Sequence, residues 1–337
     1  MNTYEQFIEE LRHMKGSALR EAMNRSENQA FMVKGVRGLL DSAYSQAALQ
    51  ATFMELVVED SSEANLEDYP TLGDPQMPQQ VNEGQPFPVL SPGSPDNVKV
   101  TNFKYGGILE ISTEVEEDDQ SPAKQIRKQG AALGRKHVEF KDKVFYSILT
   151  GNAAIYDTQN FFSLNHPGYN GGAQRANNDN IYTNVTMSAN ALATVLGTIA
   201  KWEGADPDQD LDTLAERIVC PVTLQATAFG LTRADLLPFG AGAGPLGPAA
   251  SLGGGIPNFM KGKLKVTASP RLDKSSITDW YVKTNFPGLL YLKRKGLQLF
   301  QELPSAGKSF EQGLLRYRTE ERFGRKVISW RWGVLIS

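Results

Sequence analysis

The chain has 337 residues, 35 Lys and Arg against 38 Asp and Glu, and a formal net charge of -3, which allows two or three domain-sized units but argues against electrostatic capture of nucleic acid, for which a basic excess is needed. Its one cysteine, Cys220, excludes an internal disulfide framework and sits in an apolar run, where it reads as a small buried hydrophobe. No run of about 18 apolar residues predicts a membrane span, and the first residues lack the basic and apolar regions of a secretory signal.

Residues 1–50 read as an amphipathic helical arm. Tyr4, Phe7, Ile8 and Leu11 fall at three- and four-residue spacings, Thr3 is placed to cap them, and Leu39, Leu40, Ala43 and Ala47 mark a second helical piece. Charges of both signs alternate there, so the apolar stripe needs a covering surface from elsewhere. Between Glu59 and Asp96, Pro, Gly, Asn, Gln and acidic residues dominate, and Pro70, Pro75, Pro78, Pro86, Pro88, Pro92 and Pro95 rule out a long helix. Strand-like runs at 53–58 and 98–103 flank this stretch. They predict a long excursion that returns to its base; an unstructured linker is the alternative.

A long helix is predicted over about 122–150. Ser121 is a good N-cap, Pro122 suits the first helical position, the acidic residues at 116–119 suit the positive end of the helix dipole, and Gly151 ends it. Ile126, Gly130, Leu133, His137, Phe140, Val144 and Ile148 step by three or four and predict the buried face, while Lys124, Arg127, Lys128, Arg135, Lys136 and Lys141 are expected on solvated faces. Further on, Leu192, Val195, Leu196 and Ile199 predict a helix over 189–201. Residues 218–224 read as a strand, 224–237 as a helix, and 264–268 and the run from Trp280 as strands. The last 25 residues read as paired strands with a turn at Phe323-Gly324-Arg325.

The densest chemistry lies in Tyr156, Asp157, Gln159, Asn160, Phe161, Phe162, His166 and Pro167. A catalytic histidine needs a nucleophile, an orienting carboxylate or a metal with further ligands. Asp157 and Ser163 are near in sequence, but no G-x-S-x-G or H-E-x-x-H pattern occurs. The other histidines, His13 and His137, lie in helical patterns. These eight residues are therefore read as a structural loop motif, and no catalytic, cofactor-binding or metal residue is assigned. Residues 242–247 match G-x-G-x-x-G formally, but Pro245 and Pro248 prevent the helix that a dinucleotide site requires, and a surface loop is expected. Residues 206–210 alternate carboxylates like a calcium loop, yet Leu211 and Arg217 stand where its glycine and glutamate belong.

The run Tyr-Asp-x-Gln-Asn-Phe-Phe followed by His166-Pro167 resembles the loop after the long helix in major head subunits of Mu-like tailed phages. Residues 107–112 with the acidic run 114–119, then residues 217–222 and 260–266, resemble three further segments of that family in the same order, over roughly 105–285. The resemblance implies an α+β chain with the Hong Kong 97-type capsid fold. Its parts would be an N-terminal arm (1–50), an extended β-hairpin loop with its base strands (51–108), a peripheral domain with the spine helix (109–186), a mixed sheet and helix axial domain (187–304), and C-terminal strands returning to the peripheral domain (305–337).

The implied function is structural: hexamers and pentamers of an icosahedral head around double-stranded DNA. Implied partners are other copies of the chain, a separate scaffolding protein, the portal, a decoration protein, and packaged DNA through non-specific contact, with no membrane and no cofactor. Assembly would take place in the host cytoplasm and the product would be the virion. Some shells of this kind are welded by a Lys–Asn isopeptide bond, but no lysine lies between Glu59 and Asp96, so noncovalent stabilisation is expected. Alternatives stay open at this point: an encapsulin-like nanocompartment shell and, from a different class, a hydrolase using His166 with Asp157 and Ser163. A tail or connector protein is a third.

Overall fold

In the computed structural model the described residues are 26–71, 80–89, 96–112, 122–167, 174, 177–204, 212–237, 256–258, 260–302 and 311–337. The acidic run 114–119, Ser121, the calcium-like residues 206–210, the glycine-rich residues 242–247, His13 and the first half of the arm lie outside them.

Helix α1 (Ser26–Gln50) is followed by a 3-10 turn (Thr52–Glu55) and strands β1 (Val58–Ser61), β2 (Leu66–Thr71) and β3 (Asp96–Ser112). Helix α2 spans Pro122–Gly151. Then come β4 (Ile181–Tyr182), α3 (Ala189–Ile199), β5 (Ala215–Cys220), α4 (Gln225–Arg233), β6 (Leu236–Leu237), β7 (Ile256–Pro257), β8 (Lys265–Ala268), a single helical turn α5 (Pro270–Asp273), β9 (Trp280–Thr284), β10 (Leu289–Gln301), β11 (Leu314–Val327) and β12 (Gly333–Ile336). Among the described residues one five-stranded sheet has the order β1-β10-β11-β3-β2, a second has β4-β12-β9-β5-β8, and β6 and β7 form a ribbon.

Contacts divide the chain into two compact units: residues 1–51, 102–142 and 293–323, and residues 52–101, 143–292 and 324–337. Both cut across the five segments expected from sequence, because α2 and the strands β3, β10 and β11 each contribute residues to both.

In the first unit the buried side of α2 is made by Gly130, Gly134, Val138 and Lys141. Of the expected face Gly130 and Val144 are buried, but Phe140 is 39% exposed, whereas Lys141, expected in solvent, is 2% exposed. Spacing alone could not show that an acidic partner, Glu321 of β11, awaits that lysine. Gly134 sits where α1 crosses, and a Cβ there would lie 2.6 Å from the Leu40 carbonyl oxygen. Backbone cannot yield as a side-chain end can. Gly134→Val is therefore expected to destabilise the chain by about 2–3 kcal/mol, read as a lower urea midpoint at unchanged slope.

In the second unit β2 and β3 pair antiparallel, Leu66 opposite Thr101 and Thr71 opposite Asp96. The run 53–58 is not the expected strand: Thr52–Glu55 is a 3-10 turn that buries Phe53, whose ring stacks on Phe145 at 5.0 Å with Tyr291 edge-on at 5.9 Å. Aromatic packing there outweighs the β propensity of the run. Strand β5 is paired on both edges by β8 and β9 and buried through Ile218, Val219 and Cys220, with Ile218 and Cys220 packed in a core that includes Leu192, Trp280 and Val282. Burial pushes the Cys220 thiol up to about 12, with the nearby Asp273 charge adding to the effect. Ser188 caps α3 by accepting from the Ala191 amide, and the apolar side of α3 joins a core with Trp202, Trp280, Val282, Trp330 and Ile336. The helix expected over 224–237 is shorter: it stops at Arg233 and Leu236–Leu237 is strand.

The C-terminal segment departs furthest from expectation. Strand β11 runs straight through Phe323-Gly324-Arg325, so no turn forms there. The chain turns after Val327, where the amides of Ile328 and Ser329 both donate to the Gly288 carbonyl. A 3-10 turn at Trp330–Trp332 follows, capped by the Ser329 hydroxyl. Strand β12 then joins the second sheet, antiparallel to β9 and parallel to β4. Burial of Trp330 and Trp332 fixes this path; Trp332 Nε1 donates to the Leu56 carbonyl at 2.7 Å.

Candidate functional site

Beyond α2 the chain folds into a tight loop. Asn152 takes a left-handed conformation (φ 39) and pairs its amide with the backbone of Phe162 in both directions, at 2.6 and 3.0 Å. Thr158 is also left-handed (φ 65), the Asp157 carboxylate accepts from the Gln159 amide at 3.0 Å, and the Ile155 amide donates to the Gln159 carbonyl at 2.8 Å. Such Asx turns are what Asp and Asn do locally. The result drives Phe161 and Phe162 inward, where both are buried. Phe161 packs on Trp332 at 5.8 Å and Phe162 on Tyr281 at 5.5 Å.

The loop closes on His166, which is fully buried. Its ring stacks on Trp330 with centroids 4.8 Å apart and planes 2° from parallel. Nδ1 meets Asp157 Oδ2 at 2.7 Å and Nε2 meets Asn180 Oδ1 at 3.1 Å. Asn180 cannot be reversed: its Oδ1 also accepts from the Ser163 amide at 2.7 Å, and its Nδ2 reaches the carbonyls of Phe161, Trp330 and Gly333 at 2.9, 3.2 and 3.3 Å. Nε2 of His166 is therefore a donor.

The structure thus brings Asp157, Phe161, Phe162, His166 and Pro167 into the interior, leaves Tyr156 and Gln159 half-buried, and leaves Asn160 exposed. Ser163 joins through its backbone amide. A general base must reach a substrate proton from a free nitrogen. Both nitrogens of His166 are occupied and no edge of the ring meets solvent, so the arrangement braces the loop. Asn180 and Trp330 were missed in the sequence because they lie 14 and 164 residues from His166; only the asparagine-rich run at 177–180 hinted at one of them.

A second polar cluster, also missed, lies in the first unit. Lys141 makes an ion pair with Glu321, and both are buried. The hydroxyl of Tyr44 on α1 accepts from Lys141 and donates to Glu321. His137 Nε2 is 2.9 Å from Thr319 Oγ1, and its Nδ1 lies 3.7 Å from Glu321 Oε2. Burial raises the Glu321 carboxyl, but the His137 contact and the Lys141 charge outweigh it, so it stays below the ordinary 4.5. Glu320, on the other side of β11, receives Lys104 at 2.8 Å and Lys295 at 3.0 Å, which hold it down at about 2.

The sign of the pH effect follows. A carboxylate lowered on folding adds stability that is complete above its unfolded value near 4.5 and disappears as pH falls through its folded value. Unfolding midpoints measured from pH 6 down to pH 2 are expected to fall mainly below about 4.5, and Glu321→Gln is expected to flatten that fall.

Among the described residues no group of three or more His, Cys, Asp or Glu is placed to hold a metal ion, and no helix is long and apolar enough to cross a membrane.

A family model described as phage capsid protein matches residues 97–336. No curated protein sequence matches the chain. Among solved structures, the capsid of a native GTA particle is similar over 85% of this chain and 89% of that one, at 14% identity and a TM-score of 0.50. A Mycobacterium phage Patience chain is similar over 89% and 88%, at 12% identity and a TM-score of 0.51. The capsid of Myoviridae phage XM1 is similar over 85% and 91%, at 10% identity and a TM-score of 0.50. With a family match over most of its length and the Hong Kong 97-type fold of tailed-phage capsids, the chain belongs to the phage capsid protein family and is a major capsid protein, a structural component of the virion.

Proposed function

We propose that copies of this chain associate into hexamers and pentamers and close an icosahedral head around double-stranded DNA. The observation that supports this reading is the exposure of the stretch around β1 and β2 in the second unit. All four residues of β1 are exposed, and beyond β2 the stretch 80–89 leaves Phe87 and Val89 86% and 96% exposed. Apolar side chains presented this way call for a covering surface, and a neighbouring copy supplies one. The segment acts as the extended loop, α2 as the spine of the peripheral domain, and α1 as the inner end of the arm, where Leu49 is 89% exposed.

The chain is not an enzyme in this reading, since the Asp157–His166 pair is closed and braced. A separate scaffolding protein, the portal and a decoration protein are the expected partners. DNA contact is non-specific, in keeping with the net charge of -3, and assembly takes place in the host cytoplasm. The encapsulin-like, connector and hydrolase readings have no comparable support: the family match is to phage capsid proteins, and His166 has no free nitrogen.

Electron microscopy of the expressed protein, with and without co-expressed scaffold, tests the proposal. Closed shells or hexameric rings are expected. Phe87→Ser with Val89→Ser is expected to lower the assembled fraction about tenfold while leaving the melting curve of the subunit unchanged, because both positions are exposed. A chain that stays monomeric under every condition would contradict it.

A further inference from the structure

A total charge of -3 conceals a separation. Residues 56–98 contain eight carboxylates and no Lys or Arg, which leaves the remainder of the chain formally +5. Part of that excess is gathered on one face of the sheet in the first unit. Thr319 and Glu321 of β11 point toward α2, where they meet His137 and Lys141, so the alternate residues Arg316, Arg318, Glu320 and Arg322 point away from it. On this far face Glu320 receives Lys104 of β3 and Lys295 of β10, and the two-residue period of β10 adds Lys293. Lys104, Lys293 and Arg318 are exposed, Lys295 and Arg322 half-buried. The carboxylate among these five cations, Glu320, is 9% exposed.

The patch extends in two dimensions. Strands β10, β11 and β3 are neighbours in the sheet, so Lys295 and Lys104 stand about 10 Å apart across Glu320, and Arg318 and Arg322 about 13 Å apart along β11. The Arg318 guanidinium lies 4.8 Å from the Phe300 ring centroid and the Lys295 ammonium 5.9 Å from it, which orients both charged heads. At the other end of the face Arg316 is taken up by Glu110 and Glu302, and the excess stops there. A flat array of cations matches a polyanion whose charges repeat densely along two strands. An acidic peptide fills such an array poorly, since an extended chain presents its carboxylates in one row, about 7 Å apart. We infer that this face of the first unit is the contact surface for the phosphate backbone of the packaged duplex DNA. The inference rests on the reading that the shell encloses DNA, and it adds which surface of the subunit the DNA meets.

Neutralisation tests it. Lys293→Gln with Arg318→Gln removes two exposed cations and leaves Lys104 and Lys295 on Glu320, so the melting curve should match the parent. Binding of the unassembled chain to a fluorescent duplex of arbitrary sequence is read by anisotropy from about 50 to 200 mM salt. Each phosphate contact adds about 0.9 to the slope of log K against log salt, so the slope should flatten by about 1.8, and affinity near 0.1 M salt should fall at least about tenfold. Lys293→Arg with Arg318→Lys keeps both charges and should bind like the parent. So should Lys128→Gln with Arg135→Gln on α2, where the exposed Glu139 interrupts the cations.

An unchanged slope in the neutralised sheet variant, or a slope that flattens in the α2 variant instead, overturns the inference. So does tighter binding of an acidic polypeptide than of the duplex at equal charge concentration, which would make the face a protein surface. Microscopy separates the two layers. The neutralised sheet variant should form shells as the parent does; if it fails to, the face lies between subunits and the DNA surface falls while the shell stands. A parent that forms no shells under any condition, while the slope still flattens in the variant, overturns the shell proposal and leaves the duplex-binding face.

Discussion

Lys141→Met is expected to cost about 3–5 kcal/mol, among the largest effects of any single substitution in the first unit. The ammonium is 3% exposed and its partner carboxylate 1% exposed. Removing the lysine leaves the Glu321 carboxylate in the interior with the Tyr44 hydroxyl and the longer His137 contact as its remaining described neighbours. One of its oxygens, Oε2, already lacks a hydrogen bond. The penalty is that of an uncompensated buried charge, so it should vanish when both charges go: Lys141→Met with Glu321→Leu is expected to lose far less than the two single costs added together. Urea unfolding of the four chains of this cycle measures the coupling. Because Tyr44 ties α1 into the cluster, hydrogen exchange in α1 should rise in either single variant before the rest of the unit opens. Additive single effects would mean that the pair does not act as a unit.

Asn180→Leu is the second large effect, expected at about 4 kcal/mol or more. The substitution strips a donor from the carbonyls of Phe161, Trp330 and Gly333 and an acceptor from Ser163 and His166. Each buried polar group left without a partner costs about 1–3 kcal/mol. The damage is expected to spread to β12, since Trp330 and Gly333 flank the turn that leads into it. His166→Ala is milder, about 3 kcal/mol, because it abandons Asp157 and the stack on Trp330 but leaves Asn180 bonded to the backbone. Thermal melts and soluble yield rank the three chains. A hydrolase would show the reverse pattern: His166→Ala would fold normally and lose turnover.

These clusters show what kind of information local sequence carries. The extent of α2 was legible because an N-terminal proline, a C-terminal glycine and a long run of helix-compatible residues act within a few positions of one another. So was α3, expected over 189–201 and found at Ala189–Ile199; the strand expected over 218–224 was only partly so, since β5 is Ala215–Cys220 and Val222–Leu224 is a 3-10 turn. The same reading failed where it treated a residue's character as its fate. Lysine at position 141 was placed in solvent because lysines usually are, and Gly324 was placed in a turn because glycines often are; the strand passes through it unbroken.

By itself, the amino-acid sequence determined the extent of elements such as α2 and α3 and, through ordered motifs, the capsid resemblance that the family match bears out. Those properties depend on periods of two and 3.6 residues and on caps that act over three or four. The tertiary structure alone decided which side of α2 is buried, that Lys141 meets Glu321 180 residues away, that Asn180 locks His166 against the turn at Trp330, and that β12 completes the second sheet. A buried polar group is stable only beside a complementary one, and nothing within a few residues of it records where in the chain that partner will be found.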